Sequence, residues 1–172
     1  MIHNCIMARL KQIPDSDILY SVLQRILTEG ERAATFSAIS AATGLSAPAL
    51  VLRFGSQAQM CQAALRAAWA ELITRAHLDL TSPKDVQNFL KAQSDYVDIP
   101  ALLTLSQRDH ITLAAATLWR TTVETNLARY YGGGPKGRNA AALVFAAWQG
   151  RLAWSDAGGK TFRLAEVIRS FE

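Results

Sequence analysis

Residues 30–60 read GERAATFSAISAATGLSAPALVLRFGSQAQM, and the spacing within them predicts two short helices, a tight turn between them, and a third helix close behind. Phe36 and Ile39 are three apart and share one face of a helix beginning near Thr35. Gly44 supplies a turn position where positive φ meets no Cβ. Leu45 follows as an apolar plug, and Ser46 is a good N-cap for the next helix. Pro48 falls in that helix's first turn, where a missing N–H is harmless. Leu50 and Phe54, four apart, point back into the same core. This is the layout of a helix-turn-helix, whose second helix enters a DNA major groove.

Outward from this stretch, residues 15–29 predict a helix. Asp15, Ser16 and Asp17 suit its positive N-terminal dipole end, and Ile18, Leu19, Val22, Leu23, Ile26 and Leu27 form a broad apolar stripe. The tail before it, with Arg9 and Lys11, is either an arm for a DNA minor groove or solvated chain. Gly55-Ser56 breaks the chain again, and a linking helix is expected over 56–80, with Met60, Ala64, Ala67, Ala68 and Leu72 mixing large and small apolar residues. Thr81-Ser82-Pro83 starts a further helix over 84–98. Beyond Pro100 a short helix over 101–106 and a long one over 109–131 are expected. GGGPKG, residues 132–137, predicts a break, followed by helices over 138–155 and 160–171 with Ala157-Gly158-Gly159 between them. No repeat, strand-like alternation or low-complexity tract is visible. The expected fold is all-α with about nine helices: a helix-turn-helix head over 1–55 and a helical ligand-binding and dimerisation bundle over 56–172.

Half of the 172 residues are hydrophobic, enough for a sizeable core and against disorder. The net charge is +4, yet between residues 15 and 60 Arg25, Arg32 and Arg53 face Asp15, Asp17, Glu29 and Glu31. The segment that would read DNA is therefore slightly acidic, where a basic face is the usual footprint. Cys5 and Cys61 are the only cysteines, which suggests a reducing compartment. They are either a redox pair or a tail thiol and a small packed side chain. No secretory signal is seen, and the longest apolar run, Ala140–Trp148, is too short to span a bilayer. The expectation is a cytoplasmic protein without membrane contact.

The motif between Gly30 and Gln57 resembles the tetracycline-repressor (TetR) family of transcription regulators. The matching positions are Gly30, Thr35, Ile39 with Ser40, Gly44-Leu45-Ser46, and Leu50 to Phe54. The resemblance is strong over the first third of the chain; the rest matches in length and helical character. It implies a homodimeric repressor of double-stranded DNA with palindromic half-sites, released by a small-molecule effector. It also implies a DNA-facing set at Thr35, Ser37, Ser46, Ala47, Pro48, Ala49, Val51, Arg53 and Gln57. Three of these depart from the family pattern. Val51 stands where a tyrosine usually holds a phosphate, Gln57 where a lysine usually does, and Ser37 where a longer polar or basic residue is common. Phosphate contacts supply most of the salt-sensitive affinity, so a second reading stands beside the first: a TetR-like protein that has lost DNA binding and serves as a small-molecule or protein-binding module.

Residues 138–155 carry Ala141, Leu143, Val144, Phe145, Ala147, Trp148, Leu152 and Trp154, apolar almost all the way round. Such a helix is covered on every side, either as the core of one chain or by a second copy. With the stripe Phe162, Leu164, Val167, Ile168 and Phe171 it would build a twofold four-helix bundle. The expected interface is Leu143, Val144, Ala147, Trp148, Arg151, Phe162, Leu164, Val167, Ile168 and Phe171. The resemblance places an effector within the helices before it, and the candidate lining is Trp69, Ile73, His77, Phe89, Tyr96, His110, Leu113, Thr117 and Trp119: apolar walls with a few polar handles. The same residues also read as core, and His77 and His110 as exposed or satisfied. No phosphate loop, metal-ligand spacing or nucleophile elbow appears, so neither an enzyme nor a cofactor or metal is expected.

Overall fold

The computed structural model describes residues 13–159 and 161–172. Among them are nine α-helices and no strand: α1 Asp15–Glu29, α2 Phe36–Thr43, α3 Ala47–Phe54, α4 Gln57–Arg75, α5 Pro83–Tyr96, α6 Ile99–Ser106, α7 His110–Tyr130, α8 Gly134–Ala153 and α9 Leu164–Arg169, with a 3-10 turn at Glu31–Ala33 between α1 and α2. The all-α architecture is as expected. The expectations for the tail at Cys5, Arg9 and Lys11, and with them the Cys5–Cys61 pairing, lie outside the described residues.

Short polar side chains set six of the nine starts. Thr35, Ser46, Ser56, Ser82, Asp98 and Asp109 each accept the backbone N–H three residues on, satisfying one of the donors a helix N-terminus leaves free. At α5 the exchange is reciprocal. Asp85 receives the hydroxyls of Thr81 and Ser82, and these bonds hold its carboxyl below the ordinary carboxylate range.

α4 runs through the middle, packed on α1 to one side and α7 to the other, while α7 pairs with α8 and α9 lies on α5 and α8. One core is continuous from Ile18, Ile39 and Leu50, through Met60 and Trp69, to Val123 and Val144. Head and body therefore share a hydrophobic interior joined by α4.

Three boundaries differ from the sequence expectation. α4 ends at Arg75, not near residue 80: the carbonyl of Ala76 is taken by the side-chain amide of Asn126, buried on α7, and the chain leaves the helix there. α8 starts inside GGGPKG, at Gly134, with Pro135 in its first turn. A proline there costs nothing because its N–H is unneeded. The break therefore shrinks to residues 131–133. Gly137, read from composition as loop, is a contact glycine: a Cβ would lie 2.8 Å from the carbonyl oxygen of Ala128, so its absence is what lets α8 approach α7 so closely. α9 covers only Leu164–Arg169 within the predicted 160–171, because Arg163 is extended and the helix cannot start before it.

Candidate nucleic-acid interface

Between α2 and α3 the chain turns through 114°, within the range of a helix-turn-helix. The turn is made by Gly44, at φ 76°, a conformation that penalises any side chain. Its N–H closes α2 onto the Ser40 carbonyl. Ile39 is buried beneath α2, and Leu50 beneath α3 is 0 % exposed. Leu45 and Phe54 pack partly against the same core. Anchored in this way, α3 turns its other side outward. Ser46, Pro48, Val51, Leu52 and Arg53 are exposed, and Ala47 and Ala49 half-buried. On the approach to it, Ser37 is exposed and Thr35 half-buried.

The hydroxyl oxygens of Thr35 and Ser46 accept the N–H groups of Ala38 and Ala49 at 3.1 and 3.3 Å. A hydroxyl that accepts retains a proton to donate. Neither donates to a partner among the described residues, so each keeps a hydrogen bond to offer an anionic oxygen, beside N–H groups at a helix N-terminus.

The charges are arranged differently from their spacing. Arg53 lies 3.2 Å from the carboxylate of Asp15 and donates at 3.1 Å to the carbonyl of Ile13, tying the end of α3 to the start of α1. Gln57 donates to the carbonyl of Glu31 at 3.1 Å, tying the start of α4 to the 3-10 turn. Arg25 is held by Glu29 and by the carbonyl of Ala33. Of the three described head arginines only Arg32 forms no ion pair among the described residues. The surface is hence apolar and hydroxylic at its centre, with Arg53 engaged at its edge.

Sequence reasoning missed two features. Leu52 is 89 % exposed in the middle of α3. It sits two residues from inward-facing Leu50, and that helical offset was the available signal. The other is an ion pair between Arg108 and Glu31 at 3.2 Å, which clips the 3-10 turn of the head to the α6–α7 connection. It closes one side of a groove of about 440 Å3 whose lining includes Gln57, Cys61 and Asp109. No local pattern links residues so far apart. Burial, reinforced by Glu31, pushes the Cys61 thiol up to about 11, so it is a neutral packed side chain at physiological pH.

The candidate effector residues separate. Trp69, Phe89 and Trp119 are buried, and the rings of Trp69 and Trp119 meet at 5.2 Å. Ile73 is half-buried. Tyr96 lines a different groove, between α1 and α4, with the Arg75 guanidinium 4.5 Å above its ring. His77, His110, Leu113 and Thr117 lie on the outer surface; the His110 side chain is 93 % exposed. No group of three or more His, Cys, Asp or Glu side chains that could hold a metal ion occurs among the described residues.

The candidate interface residues separate too. Val144, Trp148 and Ile168 are buried within their own chain, while Leu143 and Phe162 are exposed and Ala147, Arg151, Leu164, Val167 and Phe171 half-buried. Arg151 donates to the carbonyl of Phe162 and stacks 5.4 Å over its ring. α9 thus turns its apolar stripe onto its own chain. The uncovered stripe belongs to α8 and its neighbour α7. On α8 it is Asn139, Leu143, Ala146, Gly150 and Ala153; on α7, Ile111, Ala114, Leu118, Thr121 and Thr125. Both sets alternate steps of three and four residues, the spacing of a helix–helix seam.

The architecture matches a solved structure. The crystal structure of a TetR family transcriptional regulator, PfmR from Thermus thermophilus, superimposes with a TM-score of 0.59 over 90% of this chain and 93% of that one, at 19% sequence identity. The chain therefore has the all-α fold of a TetR family regulator. No family model and no curated protein matches the sequence. No single helix among the described residues is long and apolar enough to cross a membrane.

Proposed function

We propose that the protein is a DNA-binding transcriptional regulator, a repressor that works as a homodimer in the cytoplasm and answers to a small molecule. The observation that carries this reading is the orientation of α3: Leu50 anchors one side in the core while Ser46, Pro48, Val51 and Leu52 stand outward. In this reading residues 1–55 are the reading head and 56–172 the ligand-binding and dimerisation body. Thr35 and Ser46 bind phosphate by hydroxyl and backbone N–H, Ser37 sits beside them, and Ala47, Pro48, Ala49 and Val51 touch thymine methyls and sugars. Arg53 reaches DNA when it leaves Asp15. A second copy covers the α7–α8 stripe, Leu143 included, and so spaces two heads for half-sites a helical turn or a multiple apart.

The inward engagement of Arg53 and Gln57 favours a second reading, in which the head has given up DNA and α3 docks a protein or only stabilises the body. One titration separates the two. Each phosphate neutralised by a lysine or arginine adds about 0.9 to the slope of log K against log salt. The wild-type protein on its selected duplex is expected to give a shallow slope, of about two to four for the dimer. Gln57→Lys retains a donor for the Glu31 carbonyl and adds a charge per head. It is expected to steepen the slope by about two per dimer and tighten binding at low salt. An unchanged slope, with the variant folded, would put α3 away from the phosphates and favour the second reading.

A further inference from the structure

α3 carries one charged residue, Arg53 in its last turn. Ser46, Pro48, Val51 and Leu52 on the outward side are neutral. The charge that this helix brings to a polyanion therefore rests on a single guanidinium, and that guanidinium is occupied. Its Nη1 lies 3.2 Å from the Asp15 carboxylate and donates at 3.1 Å to the Ile13 carbonyl. A guanidinium binds carboxylate and phosphate oxygens through the same N–H groups. Asp15 thus stands where a phosphate would.

The fold does not depend on this pair. Asp15 opens α1, yet α1 has no side-chain cap hydrogen bond, so the carboxylate is not its cap. Among the described residues Arg53 is the one cation paired with it. The Asp15 side chain is 62 % exposed and that of Arg53 32 %, and ion pairs so open to water add little stability. α3 is held from beneath instead, by fully buried Leu50 and by Phe54 packed against the core. What the pair does alter is the charge offered to DNA. A cation cancelled by a neighbouring carboxylate releases fewer counterions from the backbone.

We propose that Asp15 is an internal competitor for the DNA backbone: it holds Arg53 in the free protein, yields it to a phosphate on binding, and so keeps the head below the affinity its residues would otherwise reach. The inference rests on the DNA-binding reading and names what limits it. Nε and Nη2 of Arg53 have no partner among the described residues, so a phosphate can approach that edge before the carboxylate lets go. Once released, Asp15 is a like charge beside the backbone, which adds to the cost.

The test is titration of the full-length protein, at low salt, into a fluorescent duplex of its selected sequence. Wild type is compared with Asp15→Asn, Asp17→Asn, Arg53→Gln and the double variant Asp15→Asn/Arg53→Gln. Asp15→Asn is expected to tighten binding by about three- to thirtyfold, the effect of an exposed ion pair counted once per head. Asp17→Asn makes the same change of charge two residues away, at a carboxylate that accepts from Ser16. It releases no cation and is expected to do much less. In the Arg53→Gln background the gain from Asp15→Asn is expected to vanish, because the two groups act as one unit. In labelled wild-type protein the Asp15 carboxyl resonance is expected to move, as duplex is added, toward its position in Arg53→Gln. Melting temperatures are expected to stay unchanged, as for other surface substitutions. Unchanged or weaker binding by Asp15→Asn, an equal gain from Asp17→Asn, a gain that survives the loss of Arg53, or a still carboxyl resonance would overturn the proposal and leave the regulator reading standing. Selection of DNA by Asp15→Asn alone would support both. Selection by neither it nor the wild type would remove both.

Discussion

Leu143→Arg is expected to convert the proposed dimer to single chains at micromolar concentration and to weaken DNA binding by about 10²- to 10⁴-fold, the range over which linking two sites raises avidity. Leu143 is 47 % exposed in one chain and is the largest side chain of the Asn139–Leu143–Ala146–Gly150–Ala153 stripe of α8. Against a twofold copy, a guanidinium there meets its own mate in a desolvated seam, and like charges in such a place cost several kcal/mol. Within one chain the same substitution sits at the surface, where changes away from special features stay within about 0.5 kcal/mol. The variant should therefore remain fully helical by circular dichroism while light scattering reports half the mass. Ile168→Arg is the contrast: Ile168 is buried in its own chain, so that change is expected to unfold the protein.

Leu50→Ala is expected to cost about 2–5 kcal/mol, the range for a fully buried leucine truncated in a core, and to lower the melting temperature by roughly 10 °C for a chain of this size. Leu52→Ala, two residues away, is expected to leave the melting temperature unchanged and to weaken DNA binding by several-fold, through lost apolar contact in the groove. The difference lies only in which side of α3 each residue occupies: Leu50 is inside and Leu52 is outside. Equal thermal effects from the two would mean that α3 does not lie as described. A normal affinity in Leu52→Ala would take the centre of that face out of the DNA contact.

The head was legible because its signals are local. Thr35 and Ser46 are N-caps three residues before the N–H they accept, Gly44 marks the αL turn, and Leu50 with Phe54 gives the inward side by spacing alone. α1 was readable end to end from its acidic first turn and its stripe. The junctions of the body were less so. The three glycines and proline of 132–135 look like loop by composition, yet Pro135 is also a good first-turn residue, and the helix starts there. What requires a glycine at 137 is the close approach of the Ala128 carbonyl, which no sequence period encodes. Partnerships between distant residues were invisible for the same reason. Arg53 reads as an outward cation until the fold brings Asp15 beside it, and nothing local announces Arg108 against Glu31. The proposed dimer seam shows this most clearly. α8 is apolar all round, so periodicity could not say that Val144 and Trp148 serve the body while Leu143 and Gly150 stay uncovered. Only the positions of α7 and α9 choose between them.

The most direct measurement is selection of genomic DNA fragments by the purified protein at low salt, followed by footprinting on the enriched sequence. The account predicts a dimer protecting two inverted half-sites a helical turn or a multiple apart, with protection lost in Leu143→Arg. A folded dimer that enriches no sequence, or one that protects DNA without any contact from the side of α3 bearing Ser46 and Leu52, would contradict it.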